Sequence, residues 1–344
     1  MRGTELISLY LAAEVSVRSD GRPQPVVPVP REAIQNHETF HVITAWNPGE
    51  KRLTLEENRA ADERLRKVLT AKCEPVRAIG RDRQSDHLEE GWAVRGLSNR
   101  QARSIGREFG QHAVFLFTPY SQKVLGCFEN WQIGRPLVYP TVSDLELAHQ
   151  KFGKKAQNNW MKLREKTSNR IDLTNDAHVR ATVKWLNEYG CRIHTEEPEG
   201  QFPVISELSS WWQSHLEQIE PIRDKNLAEL SDSQLEAVAD AFQDLSARPA
   251  NSGRSFAPTA ASKVLMALSP SGIPAWDKEI ALSLYASRGR TAFRVHLSEC
   301  RAWAITLRDE IERSGLLKSE HVGQAKLIDE WLYMMISRMQ KVAT

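Results

Sequence analysis

The chain has 344 residues, with 46 Lys and Arg against 44 Asp and Glu and a hydrophobic fraction of 41%. That balance suits globular domains with cores to bury, two of them at this length, and excludes global disorder. No apolar run approaches the roughly 18 residues that a bilayer span needs. The cysteines Cys73, Cys127, Cys191 and Cys300 form no CxxC pair. They fit a reducing cytoplasm rather than a disulfide scaffold or a zinc ribbon.

In chain order, alternation over Thr4–Val17 predicts a strand, and Glu5 and Glu14 interrupt what would otherwise resemble a signal peptide. A second strand, Phe40–Trp46, empties into Asn47-Pro48-Gly49. The polar stretch Thr54–Lys72 predicts a helix with Leu55, Leu65, Val68 and Leu69 on one stripe. Short extended segments follow at Pro75–Ile79 and Trp92–Arg95. Ser98 then caps a helix that Gly110 ends. The strands His112–Phe117 and Val124–Phe128 flank Thr118-Pro119-Tyr120-Ser121. Helices alternating with strands predict an α/β domain over 1–135 with an open, mostly parallel sheet. Gly134–Pro140 is the expected linker.

Beyond it the pattern predicts an all-α domain, 136–344. Ser143–Glu146 reads as a capping box, and so does Ser231–Gln234. Helices are expected over Asp176–Tyr189, Ser231–Leu245, Pro258–Leu268, Asp277–Ala286, Ala292–Ser314 and Glu320–Val342. Ala247–Ser255 reads as a loop, and Trp211-Trp212 as a pair more suited to burial than to an exposed platform.

In an open α/β sheet ligands sit at the carboxyl ends of strands, which makes the loop after Phe40–Trp46 a candidate site. There Asn47 could orient a water or a base edge, Trp46 could stack, and Pro48 and Gly49 would let backbone approach a ligand. The competing reading is a plain Asn-Pro-Gly turn. Thr118, Tyr120 and Ser121 could share that cleft, gripping phosphate and stacking on a base, or could form a simple turn. His37 and His41 flank the first motif strand without a carboxylate at triad spacing.

The block Ile43–Gly49, with Asn58 on the next helix and Gln111 before a strand, resembles a bacterial domain family of unknown function. Trp46–Gly49 after a hydrophobic strand is also similar to the first motif of the mismatch-specific branch of the uracil-DNA glycosylase superfamily. That resemblance implies a water-positioning role for Asn47, and a DNA-gripping role for Thr118–Ser121 as a variant of the second motif. Thr259–Leu265 followed by Ile273–Ile280 resembles the lysine-to-aspartate stretch of helix-hairpin-helix DNA glycosylases. It implies that Lys263 attacks the sugar while Asp277 assists. Without the resemblance, Asp277 is a helix N-cap and Lys263 a solvated surface residue. The whole chain resembles bacterial anti-phage glycosylases, which implies a modified base such as glucosylated hydroxymethylcytosine.

Charge is unevenly spread. Residues 151–170 carry seven cations (Lys151, Lys154, Lys155, Lys162, Arg164, Lys166 and Arg170) against the single carboxylate of Glu165, with Phe152 and Trp160 interleaved. This is the composition of a phosphate-tracking element, extended by Arg288, Arg290 and Arg294, or of a solvated helix face. No GxSxG, Walker-type, HExxH or GxGxxG motif is present, which disfavours serine hydrolases, P-loop enzymes, zinc proteases and dinucleotide dehydrogenases. The expectation is a DNA glycosylase acting on a flipped, modified base in double-stranded, phage-derived DNA, with no metal, no cofactor, no membrane and no obligate protein partner. The alternative is a non-catalytic nucleic-acid-binding or ligand-sensing protein in defence or repair.

Overall fold

The computed structural model describes residues 3–19, 22–33, 38–49, 51–82, 87–193, 203–251, 253–318 and 323–338. The side chains of Lys154 and Lys155 are outside what is described, as is His37. The chain divides into two units: Met1–Tyr139 with Ser283–Ser287, and Pro140–Leu282 with Arg288–Thr344. No helix of the described residues is long and apolar enough to cross a membrane.

The first unit opens with α1 (Gly3–Ala12) and β1 (Glu14–Ser19), where alternation predicted one strand over Thr4–Val17. Ile7, Tyr10 and Leu11 recur at i, i+3 and i+4, and that period prevails. Next come β2 (Arg22–Pro25), β3 (Val29–Pro30), β4 (Phe40–Thr44), α2 (Leu55–Thr70), β5 (Val76–Arg81) and β6 (Leu88–Val94). Then α3 (Asn99–Glu108) precedes β7 (Ala113–Phe117), β8 (Ser121–Gly126), β9 (Gln132–Pro136) and β10 (Val138–Tyr139). The expected linker at Gly134–Pro140 is therefore largely strand.

Eight strands form one sheet in the order β2-β1-β5-β6-β4-β7-β8-β9, and every pair in it is antiparallel. This corrects the mostly parallel sheet expected from the alternation of helices and strands. A parallel pair needs a crossover back to a neighbouring strand. Here α2 leads from β4 to β5, β5 pairs antiparallel with the next strand β6, and β6 pairs antiparallel with β4. The short turns between β7 and β8 and between β8 and β9 carry the hairpin signal that argues against a parallel sheet. A separate parallel pair joins β3 to β10.

One sheet face buries Ile43, Trp92, Val114, Leu116 and Leu125 with Leu65 and Leu69 of α2 and Ile105 of α3. The other face buries Val15, Val42, Ala78, Ala93 and Phe117. Tyr10 of α1 packs edge-on against Phe115, with ring centroids 5.6 Å apart. Reciprocal capping boxes start both α2, where Thr54 pairs with Glu57, and α3, where Ser98 pairs with Gln101.

The second unit is mainly helical: α4 (Val142–Lys151), α5 (Lys154–Lys166), α6 (Asp176–Glu188), α7 (Pro203–Ile219) and α8 (Asp232–Ala247). A short hairpin of β11 (Pro249–Asn251) and β12 (Arg254–Ser255) replaces the expected loop. Then come α9 (Ala257–Leu268), α10 (Lys278–Tyr285), α11 (Arg290–Ser314) and α12 (Gln324–Leu332), which runs into a π-helical turn over Tyr333–Ser337. The capping box of α4 is Thr141 with Asp144, two residues before the expected Ser143–Glu146. Aromatic rings fill the core. Phe242 stacks on Phe293 at 4.0 Å, Trp276 lies 5.0 Å from Phe293, and Trp303 meets Trp331 edge-on. Trp211 and Trp212 are buried, and Trp211 Nε1 donates to the Ala241 carbonyl.

Candidate functional site

Each unit gathers polar side chains that the sequence had singled out. In the first, the chain leaves β4 through Asn47, whose φ of 47° is left-handed, a conformation Asn tolerates better than most residues. Asn58 of α2 clamps that turn: its Oδ1 accepts from Asn47 N at 2.9 Å, and its Nδ2 donates to Asn47 Oδ1 at 3.1 Å. Asn47 Oδ1 also accepts from Leu53 N at 3.1 Å. Gln111 Nε2 donates to the Trp46 carbonyl at 2.9 Å, and Gly49 N donates to the Gly110 carbonyl at 2.8 Å. Pro48 lies so close to Gly110 that a Cβ there would meet the Pro48 Cβ at 2.8 Å. Asn47, Asn58 and Gln111 thus come together, as the sequence suggested. The carbonyl oxygen that would hold a water already accepts two protein hydrogen bonds.

Two residues that sequence reasoning missed complete this cluster. Asn47 Nδ2 donates to Glu89 Oε1 at 3.4 Å, and His87 Nε2 lies 3.1 Å from the same oxygen. Burial lifts the Glu89 carboxyl above its usual range, against the opposing pull of His87 and Asn47. Burial and the neighbouring Glu89 charge together push the Tyr10 phenol up.

Thr118–Ser121 lies elsewhere, which corrects the expectation of a shared cleft. In the register of β4 with β7, Phe40 faces Phe117 and Val42 faces Phe115. The turn after Phe117 therefore sits beside the start of β4, while Asn47 follows its end. Thr118 and Ser121 close the β7–β8 hairpin: Thr118 N donates to the Ser121 carbonyl at 2.9 Å, and Tyr120 N and Ser121 N both donate to Thr118 Oγ1. Ser121 is fully buried, and its hydroxyl donates to the Ser283 carbonyl at 2.9 Å. Trp46, expected to stack on a base, is also buried, with its indole N–H unpaired.

In the second unit the structure brings Lys263 and Asp277 into one group. Ser262 Oγ donates to the Trp276 carbonyl at 3.1 Å and accepts from Trp276 N at 3.3 Å. The residues just before Lys263 and Asp277 are thereby stapled together. Asp277 is the N-cap of α10, its Oδ1 accepting from Ile280 N at 2.9 Å while Oδ2 accepts from Ser337 Oγ at 2.5 Å. Lys263 Nζ stands 4.5 Å from the centre of the Tyr189 ring, a cation–π arrangement, rather than in open solvent. Tyr189 OH donates to the Ala156 carbonyl of α5.

Around them sits a set of buried charges that no local pattern announced. Glu330, fully buried, accepts from Lys326 at 2.5 Å and lies 2.7 Å from His149 Nδ1. Its neighbour Asp329 is 8% exposed, and its carboxylate makes no hydrogen bond or ion pair among the described residues. Burial pushes Asp329 up to about 6, opposed by the charges of Lys263 and Lys326 and assisted by those of Glu330 and Asp277.

The expected phosphate-tracking element is α5 with its flanks. Lys151, Lys162 and Lys166 are exposed. Lys162, Asn158 and Arg164 line one open groove of about 540 Å³, and Lys162 and Lys166 line a smaller one with Lys184 of α6. Other members are otherwise engaged. Trp160, expected to be available to bases, is buried 5.8 Å from Trp185. Arg170 pairs with Glu220 and Asp224, and Arg164 donates to Asn169. Arg290 pairs with Glu236 and Asp240, and Arg294 with Glu236 and Asp232. Arg288 is half-buried with its Nε enclosed and unpaired. The second cluster is thus largely a neutralised network and does not extend the basic face.

Residues 43–114 match a family model described as a protein of unknown function (DUF3293). The matched stretch runs from Ile43 through Asn47, Asn58, Glu89 and Gln111, and so includes most of the first unit's polar cluster. No curated protein and no solved structure matches the chain.

Proposed function

We propose that the protein is a DNA glycosylase that uses the amine of Lys263, in its helical unit, on a nucleotide extruded from the duplex. The observation that carries this reading is the placement of Lys263: a half-buried amine over an aromatic ring, stapled beside Asp277 and in the field of Asp329. Nucleophilic catalysis by lysine needs the amine held in one place, and the Tyr189 ring 4.5 Å away provides that hold for Lys263. The exposed lysines of α5 and α6 supply the sequence-independent attraction that DNA binding needs. The first unit supports a different kind of role, because the hydrogen bonds of Asn47 are already spent on its own loop.

In the reaction the Lys263 nitrogen forms a bond to C1′ of the sugar. The bond from C1′ to the base breaks, and the base leaves with the electron pair. Ring opening then gives an imine that borohydride can reduce. The test is incubation of the full chain with duplexes carrying uracil, hydroxymethylcytosine or glucosylated hydroxymethylcytosine, or an abasic site, each with borohydride present. A covalent protein–DNA adduct mapped to Lys263, and lost in Lys263→Ala, is the expected result. DNA that is bound but never trapped, with no abasic product, would leave the protein a non-catalytic nucleic-acid binder.

A further inference from the structure

We propose that a cationic track across α5 and α6 seats the phosphodiester backbone of duplex DNA, with Lys162, Lys166, Lys184 and Arg164 as its contacts. The inference rests on the reading of the protein as one that acts on DNA, and deepens it by placing the duplex. Three concavities of the helical unit are joined through shared wall residues. Lys162, Lys166 and Lys184 line the first, of about 190 Å³. Lys162 also lines the second, of about 540 Å³, together with Arg164 and Asn169. Arg164 and Asn169 are shared in turn with a third, of about 230 Å³. The track therefore crosses two helices, where the sequence showed a linear run, and takes in Lys184, which lies outside that run.

What already holds each cation decides which of them can serve. Lys162, Lys166 and Lys184 are exposed and form no ion pair among the described residues. Lys162 and Lys166 stand one turn apart, about 6 Å along α5, and so share one side of it. Arg164 is fixed instead by Asn169, whose Oδ1 accepts from its Nε at 3.0 Å, and by the Trp160 ring 5.9 Å away. Its two terminal nitrogens make no hydrogen bond among the described residues, which leaves free the planar fork that grips phosphate. Glu188 and Glu165 stand in the first and second walls, but cations outnumber carboxylates in both. In the third, Arg170 pairs with Glu220 and Asp224, and Arg223 pairs with Glu220. The attraction ends there.

A duplex fits this surface better than a single strand does. Binding of single strands relies on aromatic rings that stack on bases. The aromatic residues in these walls, Trp185 and Trp160, are buried against each other. Contacts to the backbone alone carry no sequence preference, so the track positions DNA without choosing the base.

The test measures binding of the full chain to a duplex of roughly 20 base pairs and to its single strand, by fluorescence anisotropy, between about 50 and 200 mM salt. Four phosphate contacts give a slope of log K against log salt of about −3.6 on the duplex. The triple variant Lys162→Ala, Lys166→Ala, Lys184→Ala should bring that slope to about −0.9. Removing two exposed lysines of the first unit, Lys67→Ala with Lys72→Ala, should leave it unchanged. Arg164→Lys keeps the charge and the slope but should weaken binding about fivefold, because the fork is lost. Circular dichroism and urea midpoints verify that each variant is folded. An unchanged slope in the triple variant overturns the track, and so does a single strand bound as tightly as the duplex. Borohydride trapping on an abasic-site duplex separates this outcome from the parent reading. An adduct at Lys263 with a slope indifferent to the three lysines keeps the enzyme and removes the track. Lysine-dependent binding without any adduct keeps the track and removes the enzyme, and failure to bind either DNA removes both.

Discussion

The Asn47 turn makes a sharp test of whether it is an anchor or a reaction centre. Asn58 is 3% exposed and gives the turn three hydrogen bonds: one from Asn47 N, one to Asn47 Oδ1 and one to the Leu53 carbonyl at 3.4 Å. Asn58→Ala removes all three. Each partly buried bond contributes about 1 kcal/mol net, and the Asn47 N–H would be left without its acceptor, at a further 1–3 kcal/mol. The left-handed backbone at Asn47 also loses its main support. Together these give a loss of about 4–6 kcal/mol. Urea unfolding of the full chain should show the first unit's transition moving down by more than 1 M, at a slope of about 2–3 kcal/mol/M. Hydrogen exchange of α2 and β4 amides would assign the transition to that unit. Adduct formation at Lys263, measured well below the new midpoint, should be unaffected. A shift equivalent to less than about 0.5 kcal/mol would refute the anchoring account, and so would loss of trapping in a variant of full stability.

Four further outcomes follow from the same geometry. In Asn47→Asp the Asn47 Nδ2–Glu89 contact becomes two facing carboxylates. Both then hold protons more tightly folded than unfolded, so stability present below about pH 4 is lost as pH rises, seen as a urea midpoint that falls between pH 4 and 7 where wild type changes less. Glu330→Gln leaves Lys326 buried without its counter-charge and should cost about 3–5 kcal/mol, whereas Lys326→Met with Glu330→Gln should recover most of it; denaturant midpoints of the three chains check this. Asp329 is raised from its ordinary 3.8 to about 6, so its contribution is full below pH 4 and lost through pH 6; Asp329→Asn should flatten that fall and be the more stable protein at pH 7 by a few kcal/mol in the same titration. Gly106→Ala would put a methyl 2.6 Å from both Cys127 Sγ and Val114 Cγ1 where α3 meets the sheet, and should lower the first unit's thermal midpoint as overpacking by about 1–3 kcal/mol does.

Much of the chain was legible because its signals are local. Ser98 with Gln101 and Ser231 with Gln234 start helices as reciprocal capping boxes, and the Leu65 and Leu69 stripe packs on the sheet as its period requires. Strand direction was not legible, because it depends on which strand β4 meets after α2, and that pairing is settled by packing far along the chain. Thr118–Ser121 carried the composition of a turn and proved to be one. Its distance from Asn47 follows from a register that no single strand specifies. Trp160 alternates with lysines in sequence, but helical geometry turns it inward against Trp185 while Lys162 and Lys166 stay outside. A composition count cannot separate those faces.

The two candidate sites were hidden in different ways. Asn47, Asn58 and Gln111 were found from their motif, yet their hydrogen bonds are directed at one another, which is what a turn needs and what a free catalytic amide lacks. Lys263 and Asp277 carried a weaker motif, and the buried charges that act on that region, Lys326, Asp329 and Glu330, lie on a helix whose sequence reads as an ordinary charged segment. A Lys-Leu-Ile-Asp-Glu run looks like a solvated face with an i,i+4 pair. Burial changes that reading: Lys326 and Glu330 satisfy each other, and the carboxylate between them in sequence has no such partner among the described residues. Burial raises the Asp329 carboxyl, so its charge weakens the fold at neutral pH. Asp277, by contrast, is hydrogen-bonded through both carboxylate oxygens and is held as a structural cap. The two aspartates should therefore differ in sign at pH 7: Asp277→Asn weakens a helix cap and lowers the denaturant midpoint, whereas Asp329→Asn removes a buried charge and raises it.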